Sequence, residues 1–249
     1  MALCHIHFFS NVLLKQVAMN VLLPDSGTGP FATYYLLHGL SDDYTIWHRR
    51  TRIEIYAASW PMIVVMPDGG RGFYTDNDQG PAWATFFTEE LPAFVERTFH
   101  AQSSRNGRCI GGLSMGGYGA LRLALGRPDL FISANSHSGA LRAGNKTYSR
   151  SSEAERMRIF GAKPAKSDHD LMALARRAQA AGTLPKLRLD CGAEDFLLED
   201  NRIFHAELKQ LGVPHEYQEY PGAHTWDYWD QHVPEALAFH AQAMGLKPF

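Results

Sequence analysis

Cysteine is scarce in this chain: three residues in 249, at positions 4, 109 and 191, with no CxxC pair. An odd count without that pairing argues against a disulfide framework or a structural zinc site. Cys109 and Cys191 lie in apolar, strand-like runs and read as buried, inert thiols, which fits a reducing, cytoplasmic setting. Long hydrophobic runs are missing as well. No stretch approaches the ~20 apolar residues of a membrane-spanning helix. The first residues lack a basic segment, and His5, His7, Asn11, Lys15 and Gln16 interrupt their apolar ones, so no secretory signal is expected. An excess of charge is absent too: 24 Lys plus Arg stand against 26 Asp plus Glu, a net charge of −2. Such a chain has no global field to draw in nucleic acid or an anionic membrane. The basic run at His48, Arg49, Arg50 and Arg52 is short and sits among apolar residues. No HExxH, P-loop or GxGxxG occurs, and the 12 histidines show no metal-ligand spacing. DNDQG at 76–80 faintly resembles a calcium loop, but Pro81 follows its glycine and Phe87 stands where the closing Glu belongs. The expected partner is therefore a small molecule, with no metal, no organic cofactor, no nucleic acid and no membrane; self-association into a homo-oligomer is left open.

What is present is an ordinary globular composition, 45% hydrophobic and 20% charged. Two strands joined at Ser10-Asn11 open the chain. TYYLLHG and MIVVMPDGG read as buried strands, with a helix at 51–60 between them. An irregular stretch from Gly70 to Pro81 follows; loops of that length are uncommon and often functional. Residues 83–99 carry helical periodicity, with a kink expected at Pro92. RCIGG is a strand, MGGYGALRLAL a helix, and FISANSHSG a strand. Residues 140–183 are more polar, hold two expected helices (about 152–159 and 168–181) and read as a cap-like insertion. LPKLRLDCG, EDNRIFHAELKQLG, HEYQEY and the last ~20 residues then read strand, helix, strand, helix. This alternation predicts a single α/β domain over 1–249, with a mostly parallel sheet covered by helices on both faces.

The sharpest chemical signal is GLSMG at 112–116, a G-x-S-x-G pattern between a strand and a helix. That is the setting of a nucleophile elbow. A strained turn lifts the Ser114 hydroxyl above the sheet, and only glycines at 112 and 116 leave room for so tight a fold. The N–H of Met115 then addresses the same spot from a helix N-terminus, suited to an oxyanion. A serine nucleophile needs a base, and the base an acid. In an α/β-hydrolase these follow in the order Ser, acid, His, at the carboxyl ends of strands. Among His205, His215, His224, His232 and His240, only His224 follows a strand; His215 begins one, and the other three sit in expected helices. The loop after KLRLDCG offers Glu194 and Asp195 as acids, and the residues alone barely separate them. The second oxyanion donor is assigned to the N–H of Leu40, in the loop after TYYLLHG. Of the aromatic cluster Phe73, Tyr74, Trp83, Trp226, Tyr228 and Trp229, two or three are expected to line a substrate pocket, with Trp83, Trp226 and Trp229 as the choice.

Taken in order, LHGL, GFYTD, EELP, GLSMGGYGA, CGAEDFLLEDN and GAHTWDYW resemble the esterase D-like α/β-hydrolases, most of all the bacterial tributyrin-esterase branch. The resemblance runs over nearly the whole chain and is weakest at 140–183. Relatives include acetyl and feruloyl esterases, S-formylglutathione hydrolases and mycolyl transferases. The family pattern implies Ser114 as nucleophile, Asp195 as acid, His224 as base, and the Leu40 and Met115 amides as oxyanion hole. Formylglutathione hydrolases carry a cysteine-containing segment after the oxyanion strand, where this chain has LHGLSDD, so the resemblance points away from a glutathione thioester. The expectation is a serine carboxylesterase acting on short acyl esters, acetyl to butyryl, through an acyl-enzyme. The rivals are a thioesterase or acyltransferase on the same triad, and a non-catalytic binding protein on a hydrolase scaffold.

Overall fold

A computed structural model describes residues 1–148 and 151–249; residues 149 and 150, within the expected cap, lie outside the described residues. The strands are β1 (Ala2–Ser10), β2 (Lys15–Leu23), β3 (Ala32–Leu37), β4 (Met62–Pro67), β5 (Arg108–Leu113), β6 (Ser133–His137), β7 (Lys186–Gly192) and β8 (Glu216–Tyr220). They form one sheet in the order β1-β2-β4-β3-β5-β6-β7-β8. β2 runs antiparallel to β1 and β4, and every pair from β4 onward is parallel. Every residue of β3, β4 and β5 is buried, as a parallel sheet covered on both faces requires.

Side chains alternate between two cores. Tyr35, Leu37, Ile63, Val65 and Ile110 face one core, with α5 (Met115–Gly126) and α7 (Leu171–Ala180). Tyr34, Leu36, Met62, Val64 and Cys109 face the other, where Trp47 of α1 (Ile46–Arg50), Ile53 of α2 (Ile53–Ala57) and Val233 of the last helix (Trp226–Met244) pack. The helix expected over 51–60 is thus shorter, and α1 precedes it. Thr51 separates the two because its hydroxyl and its N–H both donate to the Trp47 carbonyl, a local bond that competes with helix continuation.

The helix expected over 83–99 forms in three pieces: α3 (Trp83–Thr85), a π turn over Phe86–Glu90, and α4 (Leu91–Thr98). Pro92 lies in the first turn of α4, where its missing N–H costs least. The wider π turn just before it adjusts the ladder, so the irregularity precedes Pro92. Glu90 at the junction accepts hydrogen bonds from the Ser10 hydroxyl and the Asn11 N–H, tying the β1–β2 hairpin to this helix. The expected cap carries α6 (Glu153–Phe160) as well as α7.

A polar group inside the second core makes stability depend on pH. His240 is fully buried; its Nε2 donates to Asn135 Oδ1 at 2.8 Å, and the Ser133 hydroxyl donates to its Nδ1 at 2.8 Å. Burial first, then the charges of His137 and Arg188, push its pKa down to about 3. In the unfolded chain it titrates near ~6.5. The stability conferred by the neutral ring is therefore complete above pH ~6.5 and is lost as pH falls toward 3, at up to ~1.4 kcal/mol per pH unit. The unfolding free energy from urea titration should fall between pH 7.5 and pH 5 by about 2 kcal/mol less in His240→Gln than in the parent. Equal pH dependence in the two proteins would show that another group governs acid lability.

Candidate active site

The turn between β5 and α5 holds Ser114 at φ 54° and ψ −113°, a left-handed conformation strained for a side-chain-bearing residue. The flanking glycines explain how the chain tolerates it. A Cβ on Gly112 would stand 2.6 Å from the Leu37 carbonyl oxygen, and one on Gly116 only 2.5 Å from the same atom. Both contacts are with backbone, which cannot move aside. The Ser114 N–H donates to the His137 carbonyl at 2.9 Å, fixing the turn to β6.

His224 follows β8, and its Nε2 lies 3.1 Å from Ser114 Oγ. Its Nδ1 donates to Asp195, 2.8 Å from Oδ2 and 3.1 Å from Oδ1. The Asp195 side chain is fully buried and also accepts the Leu197 N–H at 2.8 Å. The loops after β7 and β8 are stitched together: Ala193 N–H donates to the Tyr220 carbonyl at 2.8 Å, and Glu194 N–H to the Gly222 carbonyl at 3.0 Å. The Glu194 carboxylate takes the Gly222 N–H in return. The neighbouring acids therefore point to different partners, Asp195 to the histidine and Glu194 to the backbone that carries it. Ser114, Asp195 and His224 come together at the carboxyl ends of β5, β7 and β8, while the other four late histidines stay outside this chain of hydrogen bonds.

The loop after β3 has its carbonyls engaged on one side. The Leu37 carbonyl accepts Trp47 Nε1 at 2.9 Å, and the His38 carbonyl accepts the Tyr74 hydroxyl at 2.9 Å. His38 Nδ1 donates to the Gly39 carbonyl at 2.7 Å, and its Nε2 accepts the Gly69 N–H at 2.9 Å. Arg71 reaches the Leu40 carbonyl at 3.4 Å and grips Glu155 of α6 at 2.8 and 2.9 Å. Across a trans peptide the N–H points opposite the carbonyl. Leu40 N–H thus faces away from the occupied Gly39 oxygen, and Met115 N–H away from the Ser114 oxygen, which accepts Tyr118 and Ala140 N–H. Leu40 and Met115 both border a cavity of about 660 Å³ that Ser114 and His224 also line.

Trp226 and Trp229 line this cavity, and so does Phe73. Trp229 meets the His224 ring edge-on, with centroids 4.9 Å apart. Trp83 does not line it, a correction to the sequence expectation. Its ring is buried over Gly70 and Gly72, beside Phe86 and Phe87, and a Cβ on Gly72 would lie 2.0 Å from it. Tyr74 and Tyr228 are also core residues, their hydroxyls bound to the His38 carbonyl and to Asp190. Sequence reasoning missed Arg50, Tyr148 and Phe196, which border the same cavity. For Phe196 a signal existed, an aromatic residue directly after the two candidate acids.

An eight-stranded, mostly parallel sheet with a strained serine at a strand–helix elbow, hydrogen-bonded in turn to a histidine and an aspartate, defines an α/β-hydrolase. Residues 10–240 match the model of a family described as putative esterases, and the chain belongs to that family. It is 32% identical to an acetyl esterase of Caldicellulosiruptor saccharolyticus, over 95% of this chain and 97% of that protein. The structure of substrate-bound fluorophosphonate-binding serine hydrolase F of Staphylococcus aureus is similar, with TM-score 0.90 and 30% identity over 96% of this chain and 98% of that one. So is S-formylglutathione hydrolase of Staphylococcus aureus, with TM-score 0.85 and 29% identity over 96% and 99%. The protein is a carboxylesterase. Among the described residues no helix is long and apolar enough to cross a membrane.

Proposed function

We propose that Ser114, His224 and Asp195 form the catalytic triad of a single-domain esterase acting on small esters with short acyl chains. The observation that carries this reading is the hydrogen-bond chain from Ser114 Oγ to His224 Nε2 at 3.1 Å and from Nδ1 to Asp195 Oδ2 at 2.8 Å, at the wall of one cavity. His224 takes the serine proton as Oγ attacks the ester carbonyl. The Leu40 and Met115 amides hold the negative oxygen of the tetrahedral intermediate. His224 returns the proton to the departing alcohol, then activates water to release the acid. Asp195 holds the imidazole in the Nδ1–H tautomer and stabilises its charged form.

The acetyl esterase relative supports a short acyl group, and so does the lining: Phe73 and Trp229 are buried, bulky and braced by other rings. Each methylene that fits adds ~0.8 kcal/mol of burial, and overfilling a packed site costs ~1–3 kcal/mol. The test is kcat/KM for nitrophenyl esters from acetyl to palmitoyl, below their solubility limits. A maximum at about two to four carbons and a steep fall by about eight are expected. A maximum at ten carbons or beyond, or a jump in rate on emulsified triglyceride, would make the protein a lipase.

A further inference from the structure

Phe196 is 62% exposed, and its ring centroid lies 4.6 Å from that of His224, inclined at 52°. The described residues include other exposed large apolar side chains: Phe9, Leu14, Ile55, Met157 and Phe249. None of those borders the active-site cavity, and Phe196 does. The imidazole thus meets two aromatic rings of different standing. Trp229 is 4% exposed and spends its indole N–H on Ser138 Oγ at 3.3 Å. Phe196 leaves most of its ring uncovered, an apolar surface that gains by being covered.

We propose that Phe196 forms a subsite for the alcohol half of the ester, selective for alcohols that carry a six-membered ring with an apolar face. The inference rests on the roles given above to Ser114 and His224. The leaving oxygen must come within hydrogen-bond reach of His224 Nε2 to collect its proton. The carbonyl oxygen is committed to the Leu40 and Met115 amides. Whatever is attached to the leaving oxygen therefore lies beside the imidazole, in the cavity that Phe196 also borders. The ring is held ready on a fixed backbone. Asp195 before it is anchored through His224, and Leu197 after it is 1% exposed. The Asp195 N–H donates to the Gly192 carbonyl at 3.1 Å, and the Leu198 N–H to the Asp195 carbonyl at 3.0 Å. A prepositioned ring loses little conformational freedom when a second ring covers it. A benzyl-type alcohol and a pyranose sugar share this chemistry, since both present an apolar ring face, the arene its π surface and the sugar the C–H groups on one side of its chair.

The experiment keeps the acyl group fixed as acetyl and varies the alcohol: ethanol, benzyl alcohol, and a xylose glycoside acetylated once. In Phe196→Ala the kcat/KM ratio of the benzyl or the sugar ester to the ethyl ester should fall about 3–10-fold relative to the parent. Phe196→Leu should fall between, and Phe196→Tyr should restore the ratio. The arm that falls identifies the ring type used. Both ratios unchanged in folded Phe196→Ala overturn the subsite. Equal losses on all three esters overturn it too, because they would assign Phe196 to shielding the His224–Asp195 bond. If the parent protein hydrolyses none of the acetates, the triad reading fails instead; hydrolysis with unchanged ratios removes the subsite alone.

Discussion

Replacing Ser114 by alanine is expected to lower kcat by about 10⁴- to 10⁶-fold, the scale of loss when a triad nucleophile is removed. The side chain contributes one hydrogen bond to His224 Nε2, at 3.1 Å, so its deletion removes chemistry and very little structure. The strained backbone at φ 54° is as demanding for alanine as for serine, and Gly112 and Gly116 remain to permit it. Thermal unfolding of the variant should therefore track that of the parent. Labelling by a fluorophosphonate probe, which reacts with an activated serine, should disappear. Folded Ser114→Ala protein with near-native activity would overturn the mechanism.

The acid gives the second large effect, and here adjacent residues make an internal control. Asp195→Asn should cost about 10⁴-fold in kcat, because the amide can donate to Nδ1 and favour the wrong imidazole tautomer. Glu194→Gln should cost less than about tenfold, since its side-chain oxygen can still accept the Gly222 N–H as a neutral acceptor. The two substitutions remove the same charge from neighbouring positions, so a general electrostatic effect would make their losses similar. Steady-state kinetics on a short nitrophenyl ester decides between them. A larger loss in Glu194→Gln would transfer the role of acid to Glu194.

The elbow and the strand-end histidine were legible in the sequence because their requirements are local. A turn that presses Gly112 and Gly116 against the Leu37 carbonyl tolerates no Cβ, and the pattern of glycines records that directly. His224 was separable from four other histidines by its place after a strand and a Pro-Gly turn. Glu194 and Asp195 were not separable from residues alone, since nothing about two adjacent carboxylates says which way each points; the family resemblance favoured Asp195. The stitching of the β7 and β8 loops sets those directions, through bonds between residues about 28 apart in the chain. The short helix α1 escaped notice because five residues carry too little periodicity to register.

Trp83 and Phe196 show the same division from opposite sides. Both are bulky aromatics of the kind that can line a substrate pocket. Trp83 went into the core because Gly70 and Gly72 open a space for its ring, across a turn no periodicity describes. Phe196 stayed outside because its neighbours Asp195 and Leu197 take the inward directions. The sequence by itself determined the alternation of strands and helices, the two-faced burial of the parallel sheet, the nucleophile turn and the strand end that carries the base. These follow from periodicity, steric exclusion and chain order, which act over a few residues. Only the tertiary structure decided which carboxylate meets His224, which aromatics line the cavity, and that the carbonyls after β3 are held by Trp47, Tyr74, His38 and Arg71. Those outcomes depend on where side chains far apart in sequence point once packed, and direction in space is set by packing between elements.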